Sequence, residues 1–177
     1  MDLRETVSAS LGGFENLVKK IPGYSGYKDK ELRREADKLL RMEVALKLDD
    51  QRKRLSELQT QLIMQAQIEF LDNLEWAVMK LQLLIDRLRT ASYGYAGLFD
   101  AVKVKEDELD ALYEFDNKML ESVNEVASDV DKVASAITAG EGIVEAITDL
   151  VRTVDQANQT FGHREEAILQ ASTQETL

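Results

Sequence analysis

The chain has 177 residues, 44% hydrophobic, 31% charged and only 6% aromatic, with one proline: enough for one domain with a real core, in the balance of an all-helical or coiled-coil protein. Cysteine is absent, which excludes disulfides and thiolate–metal sites. The net charge of −11 argues against a nucleic-acid partner, because phosphate binding needs clustered Lys and Arg.

At the N-terminus, Met1-Asp2-Leu3-Arg4-Glu5 shows no basic n-region followed by an apolar h-region. No apolar run reaches the roughly 20 residues that span a bilayer, so a cytoplasmic location is expected. Leu3, Val7, Leu11, Phe14, Leu17, Val18 and Ile21 recur at spacings of three and four, which predicts an amphipathic helix over 3–20, weakened in its middle by Gly12-Gly13. Two readings fit it. The helix covers part of the core, or it lies on a membrane surface with Leu3, Val7, Leu11, Phe14 and Leu17 facing the lipid and Lys19 and Lys20 at the headgroups.

Ile21-Pro22-Gly23-Tyr24-Ser25-Gly26-Tyr27 is a predicted turn, ended by proline and shaped by its glycines. Tyr24 and Tyr27 either cap the end of a bundle with their hydroxyls wet or meet a partner. From Tyr27 to Tyr93 there is neither glycine nor proline, and good helix formers dominate, so one very long helix is expected over 29–91. Acid-before-base pairs four apart (Asp29/Arg33, Asp37/Arg41, Glu43/Lys47, Asp49/Lys53 and Asp50/Arg54) read as salt bridges on an exposed face. They favour a helix that is continuous, if kinked, through Asp49-Asp50, the candidate break. The tract Gln51-Arg52-Lys53-Arg54 reads as a solvated face. Apolar steps of 4, 4, 4 and 4 between Leu58 and Leu74 interrupt the heptad rhythm that follows, and Trp76 is expected as a packed anchor beside that seam.

A second glycine–tyrosine loop, residues 92–100, offers Tyr93 and Tyr95 as further partner-contact candidates. A helix over 105–139 then opens on Glu106-Asp107-Glu108 at its positive dipole end. Its seam is Leu109, Leu112, Asp116, Met119, Val123, Val126, Val130, Val133 and Ile137, with Asp116 the one polar member. A buried aspartate must find a partner or shift its pKa, so Asp116 is expected to bond a tyrosine hydroxyl or an arginine and fix register, with a binding role as the alternative. Gly140 and Gly142 return the chain into a last helix over 142–161, whose seam is Ile143, Ile147, Leu150, Val154, Ala157 and Phe161. Gly162 is expected to fray it, and 172–177 reads as a disordered tail, leaving one helical domain over 1–171.

Catalytic and metal chemistry has little to stand on. The di-iron pattern Glu-x-x-His fails because Thr160 precedes His163 by three residues, and one histidine without cysteine leaves nucleophilic triads remote. Gly94-Tyr95-Ala96-Gly97 is too short for a phosphate loop. Glu106, Asp107, Glu108 and Asp110 would attract a divalent cation, but the calcium-loop pattern is missing. No cofactor is expected.

The stretches from Ile21 to Lys38 (IPGYSGYKDKELRREADK) and from Ala91 to Asp100 (ASYGYAGLFD) resemble a group of small uncharacterised bacterial coiled-coil proteins, over residues 20–137. The resemblance implies no activity and carries over no site residue. A looser likeness is to phage-shock-type membrane-remodelling proteins, which also begin with an amphipathic helix and continue into a long helical hairpin, under a different sequence signature.

The expected fold is therefore all-α: a long-helix antiparallel bundle or coiled coil with a short N-terminal amphipathic helix. The expected function is a non-enzymatic scaffold or interaction protein that self-associates, most simply as a homodimer, with a further protein partner open. The alternatives are a membrane-surface adaptor and a ligand- or metal-binding bundle. The dimer rests on Leu32, Ala36, Leu39, Leu40, Val44, Leu46 and Leu48, which only a weak first helix is left to cover. It rests also on charge: net +2 over 1–60 and −13 over 61–177 would draw one copy's mildly basic end to another's acidic end.

Overall fold

A computed structural model describes residues 13–91, 99–100 and 104–173. These are predominantly helical, with no strand among them. Helix α1 is described over 13–20, α2 over Arg33–Met64, α3 over Leu71–Thr90, α4 over Glu106–Ala139 and α5 over Ile143–Thr173, with 3-10 turns at Lys30–Leu32 and Ile68–Phe70. The described residues fall into two compact units. One draws on Met1–Glu43, Arg89–Leu120 and Thr160–Leu177, the other on Val44–Leu88 and Glu121–Gln159.

The expected helix over 29–91 is two helices. Asp29 caps the turn that precedes α2, accepting from the Glu31 amide at 3.0 Å, and α2 then runs unbroken through Asp49-Asp50. Asp49 pairs with Arg52 at 2.9 Å and with Lys53 at 3.3 Å, while Arg54 reaches Asp131 rather than Asp50. The stop comes later. The Ala66 amide bonds the Ile63 carbonyl, the Gln67 amide bonds the Leu62 carbonyl, and Ala66 takes φ +57°, so the helix closes in a Schellman motif. Alanine there is uncommon, because a Cβ in the left-handed region crowds the following carbonyl. A similar closure ends α4, where the left-handed residue is Gly140.

In the second unit, Leu55, Leu62, Leu74, Ala77, Leu81, Leu84, Ile85 and Leu88 are buried together with Val126, Val130, Val133, Ile137, Ile143, Ile147, Leu150 and Val154. Burial of this many aliphatic side chains, each worth roughly 1.5–3 kcal/mol, is the dominant favourable contribution there. Trp76 is not a packed anchor but 54% exposed. Its place on α3 lies away from Ala77 and Leu81, which take the buried side.

Helix α5 does not fray at Gly162. The spacing of its seam continues from Phe161 through Arg164 to Ile168, all buried, and the helix runs to Thr173, so 172 and 173 are helical and the rest of the expected tail lies outside the described residues. The apolar set expected to await a second chain is largely covered within this one. Ala36, Leu40, Val44 and Leu48 are buried, Leu32 and Leu39 half-buried, and Leu46 is exposed.

Candidate functional site

The first unit holds a cluster of charged and phenolic side chains closed off from water. Its foundation is the turn after α1. Gly23 and Gly26 take φ +79° and +75°, which lets the loop fold tightly against α1 and α4. A Cβ on Gly26 would stand 2.6 Å from both a Phe14 ring carbon and the Tyr113 hydroxyl, so only glycine fits. That approach lets the Tyr27 amide donate to the Tyr113 hydroxyl at 2.9 Å. The Tyr27 ring stacks on Tyr113 at 5.4 Å and on Phe99 at 6.0 Å, and Tyr24 meets it edge-on.

Asp116 projects from α4 into this aromatic wall and is fully buried. Its Oδ2 accepts from the hydroxyls of Tyr27 at 2.6 Å and Tyr24 at 3.2 Å. Its Oδ1 accepts from Arg164 Nε of α5 at 2.7 Å. Arg164 Nη2 donates to Asp37 Oδ1 of α2 at 2.8 Å and to the Tyr27 hydroxyl at 3.0 Å. Asp37 Oδ2 accepts in turn from Arg41 Nε at 2.8 Å, and Arg33 Nε donates to the Tyr27 carbonyl at 2.6 Å. Three guanidinium groups and two carboxylates thus sit together in the interior.

The electrostatics follow from burial set against pairing. Burial pushes the Asp116 carboxyl above its ordinary pKa, while Arg164 and the Tyr27 hydroxyl pull it back. Burial also works against the Arg164 charge, but Asp116, Tyr27 and Asp37 together outweigh it and hold that guanidinium protonated. Tyr24, Tyr27 and Tyr113 are all pushed up, chiefly by burial. The donors on both Asp116 oxygens suit the carboxylate, and a removed partner would leave an uncompensated charge in a low-dielectric interior. Arg164 Nη1 is buried without a hydrogen-bond partner.

Of the residues singled out in the sequence, Asp116, Tyr24 and Tyr27 come together here, with Tyr24 and Tyr27 buried and their hydroxyls on Asp116 rather than wet. Leu17 is buried, and Phe14 lies half-buried against Tyr24 and Tyr113, so both face the interior as folded; Lys19 and Lys20 are exposed. Leu3, Val7, Leu11, Tyr93 and Tyr95 lie outside the described residues. Asn117 fixes α1 to α4, donating to the Gly13 carbonyl at 3.1 Å and accepting from Asn16 at 2.7 Å.

Sequence reasoning missed Arg164, Asp37, Arg41, Arg33 and Tyr113. Arg164 had a signal, since it falls on the three–four spacing that Phe161 and Ile168 complete. The Asp37/Arg41 pair forms, but in the interior rather than on an exposed face, because Arg164 brings it a charge that needs an anion. Among the described residues, no group of three or more His, Asp or Glu is placed to hold a metal ion, and Asp110 is pushed up by partial burial and by Glu106 and Asp107.

No protein-family model, curated protein or solved structure matches the chain.

Proposed function

We propose that the chain is a non-enzymatic scaffold or interaction protein that self-associates through its helical surface, with its helices arranged as an antiparallel bundle of coiled-coil character. The hydrogen bond from Thr153 Oγ1 to Asp129 Oδ2, across the turn at Gly140–Gly142, supports opposite senses for α4 and α5. The three–four alternation of the buried α4 seam supports coiled-coil packing. The charged cluster serves as a register lock in this reading. Its groups bond to one another, and Asp116, Tyr27 and Arg164 are closed to any substrate.

The observation that carries self-association is the apolar exposure of α3. Trp76, Met79 and Leu83 are each more than half exposed, and Ile63, Met64 and Ile68 are exposed at the turn before it. Single exposed apolar side chains are ordinary, but a row of them marks an interaction surface. The first half of α2 no longer supplies the argument, because its apolar set is largely covered. A membrane-surface role has less support, since Phe14 and Leu17 are engaged within the protein. Light scattering across a range of concentrations tests the proposal. Self-association raises the apparent mass above the 20.0 kDa of one chain, and a constant 20.0 kDa up to hundreds of micromolar overturns it.

A further inference from the structure

We draw no further inference here: the strongest candidate, the unpartnered Nη1 of Arg164 inside the charged cluster of the first unit, belongs to the site already described, and nothing among the described residues shows what ligand would meet it.

Discussion

Arg164 and Asp116 lie 48 residues apart in the chain and 2.7 Å apart in the interior, both without measurable exposure. The guanidinium also bonds Asp37, so one cation ties α2, α4 and α5 together within the first unit. A buried ion pair contributes little compared with a well-packed apolar substitute, yet breaking one from a single side is costly. Arg164→Met should therefore lower stability by about 3–5 kcal/mol, since it leaves Asp116 charged and facing only hydroxyls. Asp116→Leu alone should also destabilise. The double variant Asp116→Leu/Arg164→Met should recover at least half of the Arg164→Met loss, because Asp37 keeps Arg41. Urea unfolding midpoints measure all three, and a double variant no better than Arg164→Met would mean that the pair contributes net stability of its own.

The buried phenols set the behaviour in alkali. Tyr24, Tyr27 and Tyr113 have their pKa values raised, mainly by burial. Unfolded, each loses its proton near pH 10; folded, each keeps it. Above pH 10 the unfolded state therefore binds fewer protons, and stability falls by about 1.4 kcal/mol per pH unit for each tyrosine, whereas near neutrality these groups add no slope. Helical circular dichroism should disappear cooperatively above pH 10, with tyrosinate absorbance from these three rising in the same transition. Full tyrosinate absorbance in a chain that is still native would show their hydroxyls to be open to water.

Ala66 is the left-handed residue at the end of α2, with φ +57°. Ala66→Gly should raise stability by about 0.5–1 kcal/mol, as glycine takes that conformation without strain. Gly140→Ala, at φ +74° and the corresponding place after α4, should lower it by a similar amount. Thermal melts of the two variants should move in opposite directions, and a loss in both would mean that the Ala66 methyl makes a contact worth more than the strain.

Gly26→Ala separates steric fit from backbone preference. The new methyl would meet the Phe14 ring and the Tyr113 hydroxyl at 2.6 Å as well as a φ of +75°. Gly142→Ala, with φ +69° and nothing within 4 Å, carries the backbone cost alone. The expected losses are more than about 2 kcal/mol for Gly26→Ala and about 1 kcal/mol for Gly142→Ala, measured by urea unfolding. Equal losses would show that the loop yields to make room.

Much of the fold was legible in periodicity. Every seam position from Leu109 to Ile137 is buried, because alternating steps of three and four keep one side of a helix facing its neighbours. The break at Ala66 was hidden because glycine and proline mark helix ends and this end uses neither. The one trace was the run of four-residue steps between Leu58 and Leu74, which spans the turn. Asp116 stood out as a polar residue in an apolar seam. Arg164 did not, since Gly162 suggested that the helix had already ended. Asp37 and Arg41 looked like a surface pair because a spacing of four says that two side chains are neighbours, not which way they face. Trp76 was misplaced for another reason: at about 100° per residue it falls across the helix from Leu74 and Leu81, and its size was given more weight than that spacing.

The lock formed by Asp37, Asp116 and Arg164 also has a bearing on the order in which the chain is made. Its three charges come from early, middle and late in the sequence, whereas the second unit draws only on Val44–Leu88 and Glu121–Gln159. During synthesis, every residue of the second unit has emerged before Arg164 does. Until then, Asp116 has no cation to receive it, and burying it would cost several kcal/mol. Residues that emerge after the whole second unit thus complete the interior of the first, and a chain cut short before Arg164 would keep the carboxylates and lose the one group that lets them leave water together.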